Sequence, residues 1–308
     1  MRDLIIVGAG PAGLTAGLYA GRYRLDTLIL EKMAPGGQIL LSERIENFPA
    51  FPGGVTTQEL IERMKQQTDA LGVGIETEEA LEIIPRSEKG EEFYSVRGKD
   101  KTYDARAVII ASGGKWKKLG VPGEERLIGR GVSYCGTCDG PLFKRKEVVV
   151  VGAGNKAMEE AIFLTRYAGK VTVIHRRQEL RASKILQEEA LKNPGIKFIL
   201  DSVIEEITGA DKVEGVRIRN VKTNAAGALS CQGVFIFVGI EADTAFIKKL
   251  LNTDESGFIM TDRELQTSRQ GIYACGDCLK KSLYQVVNAC GEGALAADSA
   301  HKYLLNKK

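Results

Sequence analysis

Two stretches of the chain open with unbroken apolar runs, the mark of strands buried on both faces. The first, DLIIVGAGPAGLTAGLYAGRYRLDTLILEK, runs from Asp3 to Lys32. The second, EVVVVGAGNKAMEEAIFLTRYAGKVTVIHR, runs from Glu147 to Arg176 and aligns with the first without a gap, at an offset of 144 residues. Each passes from its apolar run through a GxGxx[GA] turn into an Ala-rich helical stretch and ends in a second β-branched run. This is a βαβ unit of about 30 residues, present twice. The predicted fold class is therefore α/β, with two Rossmann-like dinucleotide-binding domains.

The glycines have mechanical reasons. Gly8 and Gly152 permit the tight turn after the strand, and Gly10 and Gly154 let a pyrophosphate approach the backbone. Gly13 and Ala157 let the helix pack closely on the strand. The helix N-terminus then offers free N–H groups to the phosphates. One such turn alone is weak evidence; two, each in strand–turn–helix–strand context, are strong.

The two copies differ where the second strand ends and the adenosine ribose is read. In the first copy that position is Glu31, whose carboxylate accepts hydrogen bonds from ribose hydroxyls and repels a 2′-phosphate, which suits FAD or NAD. In the second it is His175, which opens HRRQELRAS. Arg176, Arg177 and Arg181 gather there, and guanidinium groups match phosphate geometry. The second copy reads as an NADPH site, set against the plainer alternative of a solvated basic surface. FAD at one copy and NADPH at the other is the equipment of a flavin reductase.

Composition changes this picture little. The chain has 308 residues, 44% hydrophobic and 27% charged, with a net charge of +3, which suits two ordinary globular domains and gives no reason to expect nucleic acid or an anionic membrane. No apolar run approaches the ~18 residues needed to span a bilayer. The first residues lead straight into a strand, leaving no room for a signal peptide, and a cytoplasmic location is expected. Two histidines are present; His301 is expected on the surface, and neither is placed as a base beside a cysteine.

The six cysteines are too few and scattered for a secreted disulfide scaffold. SYCGTCDG, from Ser133 to Gly140, suits a metal clip, a structural disulfide or a redox pair. A CxxC can cycle between dithiol and disulfide, with a lowered thiol pKa favouring the attacking thiolate. Asp139 alone reads first as a turn or helix-cap residue; beside a sulfur it is also a candidate general acid–base. A second CxxC, Cys275 and Cys278, nominally completes four zinc ligands. The 136 residues between the pairs far exceed the ~15–20 of a zinc ribbon, so Cys275 and Cys278 read as buried thiols.

Taken together, these motifs resemble bacterial-type, low-molecular-weight thioredoxin reductases along essentially the whole chain. The resemblance rests on GxGxxG at 8–13, GGQ at 36–38, ENFPAFPGG at 46–54, CxxCD at 135–139, GxGxxA at 152–157, HRRxxxRA at 175–182 and YACGD…YQVVNACGEGALAA at 273–297. It implies an FAD domain of residues 1–115 and 244–308, with the NADPH domain, 116–243, inserted. It also implies that Glu31, Lys32, Gly37, Gln38 and Asn47 contact FAD, that Gly276 and Asp277 hold its ribityl–phosphate region, and that Gln285 and Val286 lie along the isoalloxazine. Pro11, Ala12 and Ala111 complete the expected FAD set, and Asn155 joins the NADPH set. By the same resemblance Cys138 faces the flavin, Cys135 exchanges with the disulfide of thioredoxin, Asp139 is the acid–base, and the enzyme is a homodimer.

Seven residues, in four places along the chain, depart from the family pattern. Asn155-Lys156 stands where Asp-Ser is usual, Tyr284 where Arg is common, Ala242-Asp243 where Pro-Asn is usual, and Lys115-Trp116 where Ala-x-Pro is typical. They leave room for another donor, NADH or ferredoxin, or another disulfide partner. A ferredoxin–NADP reductase would lack the cysteine pair, and a nucleotide-sensing protein without turnover would not need it.

Overall fold

The computed structural model describes residues 1–41, 44–88 and 90–307. These divide into two compact units. The first comprises Met1–Leu40, Phe48–Lys115 and Glu241–Lys308, and the second Leu41–Asn47 and Trp116–Ile240.

The first unit opens with strand β1 (Arg2–Val7), helix α1 (Pro11–Arg22) and strand β2 (Thr27–Glu31). Helix α2 (Thr57–Asp69) follows, then β3 (Gly74–Thr77), β4 (Glu82–Glu88), β5 (Glu91–Arg97) and β6 (Thr102–Ile110). In the second unit the order is β7 (Val132–Ser133), the short helix α3 (Gly136–Asp139), β8 (Glu147–Val151), α4 (Asn155–Leu164), β9 (Lys170–Ile174), α5 (Lys184–Lys192) and β10 (Ile196–Ile199). It continues through β11 (Ser202–Thr208), β12 (Gly215–Asn220), β13 (Ala226–Ser230) and β14 (Gly233–Ile236). The chain then returns to the first unit with β15 (Ile272–Ala274) and the long helix α6 (Val286–Leu305).

The main sheet of the first unit runs β3-β2-β1-β6-β5-β4, with β15 paired to β6. Its β3, β2, β1, β6 and β15 pairings are parallel, and the β4–β5–β6 edge is antiparallel. The second unit carries a five-stranded parallel sheet, β7-β14-β8-β9-β10, and an antiparallel β11-β12-β13 sheet. The parallel strands bury both faces, which explains their unbroken apolar sequences. In β8, Val148 and Val150 join one core cluster while Val149 and Val151 join another. The repeat read from sequence extends to strand register: Ile6 lies opposite Ile29, and Val150 opposite Val173.

Helix α6 packs on α1 at close range. A side chain at Gly293 would overlap the Ala12 carbonyl, so glycine there sets the spacing of the two helices. His301 on α6 departs from the surface position expected of it. It is half-buried and stacked on Tyr23, ring centroids 4.3 Å apart, because the two helix ends converge there. Among the described residues, no helix is long and apolar enough to cross a membrane.

Candidate functional site

In the first unit the turn after β1 is strained in the way only glycine tolerates. Gly8 has φ +108°, and a side chain there would meet the carbonyl of Ala111 at the end of β6. Gly13 has no space for a Cβ against the Gly8 carbonyl, whereas the second copy accommodates Ala157. Above Gly10 the nearest atom to an added Cβ is the Gly36 carbonyl oxygen, 3.9 Å away. Gly36 donates to the Ala9 carbonyl at 2.9 Å, which brings the Gly37–Gln38 turn beside the first glycine turn. Pro11 and Ala12 begin α1.

Glu31 is buried, and its two oxygens accept from Ala9 N (2.8 Å) and Met33 N (3.1 Å). Each oxygen retains a second lone pair, so a fixed carboxylate faces the mouth of the turn without being exhausted. Lys32 pairs with Asp243 Oδ2 at 2.6 Å, and Lys115 with its Oδ1 at 3.0 Å. These partners hold the Asp243 carboxyl below its ordinary range although burial opposes them. Two of the departures from the family pattern, Lys115 and Asp243, thus compensate each other as one ion-pair cluster.

Gly276 (φ +78°) places its turn against Ala12, and its N–H donates to Glu292 Oε2 at 2.8 Å. Asn288 donates to Glu292 Oε1 at 3.1 Å, and Lys281 pairs with the same carboxylate. Glu292 escaped the sequence reading; its position four residues after Asn288 on α6 was the available signal. Asp277 Oδ1 is buried and lacks a hydrogen-bond partner. Burial lifts the Asp277 carboxyl to about 6, Lys281 opposing and Glu292 assisting. An orphaned oxygen beside a glycine turn fits a hydroxyl-bearing phosphate ligand. Gln285 occupies the position just before α6 and Val286 begins it. Asn47 falls within the stretch grouped with the second unit.

The Asp277 shift has a consequence for stability. A carboxyl with a raised pKa in the folded state stabilises that state below its unfolded pKa, and the contribution disappears as pH rises through about 6. The ligand-free protein is therefore expected to gain up to about 3 kcal/mol from this group between pH 7 and pH 4. Urea unfolding against pH, with Asp277→Asn as the reference lacking that slope, checks it. Parallel curves for the two proteins would remove this account of Asp277.

In the second unit Gly152 has φ +131°, and nothing lies within 4 Å of a side chain built at Gly154, an open cradle at the start of α4. Asn155 Oδ1 accepts from Ser183 N at 2.8 Å, and Arg181 N donates to the Ala153 carbonyl at 2.8 Å. The arginine loop is thereby tied to the glycine turn, with Asn155 as the tether. Arg176, Arg177 and Arg181 are exposed. Among the described residues, no carboxylate forms an ion pair with them. His175 is buried with Nε2 unpartnered, and burial, aided by the three arginines, lowers its pKa. A neutral imidazole within a triad of free guanidiniums suits a phosphorylated ligand. Lys156 turns away to pair with Glu160.

Cys135 and Cys138 are joined by a disulfide, Cα atoms 5.3 Å apart. The Cys135 sulfur caps α3, receiving the Cys138 N–H at 3.2 Å. That contact also favours negative charge on Cys135 when the pair is reduced. Asp139 sits at the end of the same turn. Burial raises its pKa, while the Ser133 hydroxyl, donating to Oδ2 at 2.6 Å, opposes the rise. Ser133 also accepts the Cys135 N–H at 3.0 Å. One hydroxyl thus links the two residues; its only signal in the sequence was a polar residue two places before the first cysteine. Cys275 and Cys278 are fully buried free thiols. Cys278 donates to the Cys275 carbonyl at 3.1 Å, and burial pushes its thiol up to about 12.

Residues 2–293 match the model of the pyridine nucleotide-disulphide oxidoreductase family. The chain belongs to that family. This pyridine nucleotide-disulphide oxidoreductase is 45% identical to thioredoxin reductase of Listeria monocytogenes over 303 residues, 98% of this chain and 93% of that protein. It is 43% identical to thioredoxin reductase of Bacillus subtilis, with 98% and 94% covered. Its fold is similar to the crystal structure of thioredoxin reductase from Streptococcus pyogenes, with a TM-score of 0.91, 44% identity and 99% of each chain covered. Membership of the family implies a flavin and a nicotinamide cofactor, and the two open glycine turns fit such ligands.

Proposed function

We propose that this oxidoreductase is an NADPH-dependent thioredoxin reductase, with FAD in the first unit and NADPH in the second. The observation that carries the reading is the Cys135–Cys138 disulfide, its first sulfur capped by a backbone N–H and a half-buried carboxyl, Asp139, beside it. The similarity to thioredoxin reductases over nearly the whole chain supports it.

In this reading Gly8, Gly10, Gly13 and Gly276 admit the FAD pyrophosphate, Glu31 holds the adenosine ribose, and Asp277 the ribityl chain. Pro11, Ala12, Gly37, Gln38, Ala111, Gln285 and Val286 complete its walls. Gly152, Gly154 and Ala157 admit the NADPH pyrophosphate, while His175, Arg176, Arg177 and Arg181 grip the 2′-phosphate. Bound there, the cofactors supply hydride and electron-pair transfer, leaving the protein to bind, orient and move protons.

Once Cys135 and Cys138 are reduced, the Cys135 thiolate attacks the thioredoxin disulfide, forming a mixed disulfide and releasing one thioredoxin thiolate. Asp139 supplies the proton that this leaving sulfur takes up. The Cys138 thiolate then attacks Cys135, re-forming their disulfide and releasing the second thioredoxin thiolate, which is protonated in turn. Two electrons leave the pair and two thiols form on thioredoxin.

The homodimer and the cytoplasmic location belong to the same proposal. Four free thiols suit a reducing compartment, and the mass in solution checks the dimer. The test of function is steady-state turnover of the purified protein. NADPH oxidation strictly dependent on oxidised thioredoxin is expected, and flavin reduction with no thioredoxin turnover would contradict the proposal.

A further inference from the structure

The redox turn has a charged neighbour that the reaction scheme does not use. Glu160, on α4, is 1% exposed. Its Oε2 is fully buried, has no hydrogen-bond partner and occupies the space that a side chain at Gly136 would fill. Gly136 lies between the two cysteines along the chain, so glycine at this position makes room for a carboxylate against the CxxC turn. The other oxygen, Oε1, forms the ion pair with Lys156, whose side chain is 43% exposed. Asp139, the other acid of the turn, is engaged by Ser133.

A buried oxygen left unpartnered costs free energy, which calls for a reason. Its position supplies one. Reducing the disulfide breaks the S–S bond, adds two electrons and takes up protons to the extent that the thiols do not ionise. A negative charge against the turn disfavours the thiolate, and in a low-dielectric setting that influence is large. It leaves the neutral disulfide almost untouched.

We propose that Glu160 is a positioning residue of charge, whose carboxylate against Gly136 lowers the reduction potential of the Cys135–Cys138 pair, with Lys156 moderating it through the ion pair. This deepens the reading of Cys135–Cys138 as the redox pair and rests on it. Lys156, a departure from the family pattern beside the nicotinamide cradle, thereby acquires a role in tuning the sulfur pair.

The test equilibrates the holoenzyme, without nicotinamide or thioredoxin, against graded mixtures of reduced and oxidised dithiothreitol at pH 8. Alkylated Cys135–Cys138 peptide is then quantified by mass spectrometry, which separates it from the other thiols. Glu160→Gln is expected to raise the equilibrium constant for reduction by about tenfold, or about 30 mV. Lys156→Ser, which leaves the carboxylate without its counter-charge, is expected to lower it by roughly threefold, the smaller effect of a half-exposed and screened charge. In the reduced protein, alkylation of the pair by iodoacetamide should quicken in the first variant and slow in the second.

A raised constant in Glu160→Gln with a lowered one in Lys156→Ser supports the proposal, and the reverse pair of displacements overturns it. If Glu160→Gln fails to fold, a lowered constant in Lys156→Ser alone supports it. Unchanged constants, or displacement of both folded variants in one direction, overturn it. A pair that dithiothreitol cannot reduce in the wild-type protein overturns the underlying redox reading as well, so the two failures are distinguishable.

Discussion

Cys138→Ser is expected to abolish thioredoxin reduction while leaving flavin reduction by NADPH intact. The reason lies in the order of sulfur chemistry. Cys135 can still attack a thioredoxin disulfide, but without a second sulfur nothing displaces the mixed disulfide from within the turn. Turnover should fall by about 10³-fold or more, the loss expected when one member of a unit acting together is removed. A stable adduct of the variant with thioredoxin should accumulate. The two halves of the reaction are read separately, by bleaching of flavin absorbance after NADPH and by thiol formation on thioredoxin. Retained thioredoxin turnover would remove Cys138 from its role.

The second large effect concerns the choice of nicotinamide. Arg176 and Arg177 are exposed and pair with no carboxylate among the described residues, and their loop is tied to the glycine turn through Asn155 and Arg181. A charge-assisted hydrogen bond contributes about 1.5–3 kcal/mol, so losing one weakens binding by roughly 10–150-fold. The double variant Arg176→Ala/Arg177→Ala should raise the KM for NADPH by about 100-fold or more and that for NADH by less than about threefold. Initial rates of flavin reduction with each nucleotide decide it. Equal increases would return the three arginines to the status of a solvated basic surface.

Features governed by local constraint were legible in the sequence. The apolar runs and glycine turns require only neighbouring residues to make sense, and the repeat they define persists in the structure down to the pairing of Ile6 with Ile29 and Val150 with Val173. The CxxC spacing likewise let the Cys135–Cys138 disulfide be anticipated as one of three readings. Contacts created by folding were not legible. Ser133 could be any polar residue before a cysteine until the turn carries Asp139 back to it. Glu160 reads as an ordinary helix carboxylate until α4 lies under Gly136. Lys115 and Asp243, 128 positions apart, looked like unrelated departures until both met at one carboxylate. Lys156 follows the second glycine turn directly in sequence, whereas the structure turns its ammonium to Glu160.

The central claim is that electrons reach thioredoxin through the Cys135–Cys138 pair. The most direct measurement maps that pair by mass spectrometry after anaerobic addition of one equivalent of NADPH to the flavin-loaded protein, and again after oxidised thioredoxin is added. The expected result is alkylated Cys135 and Cys138 in the first sample and a restored disulfide in the second, with two thiols gained per thioredoxin. A pair that stays oxidised while thioredoxin becomes reduced would contradict it.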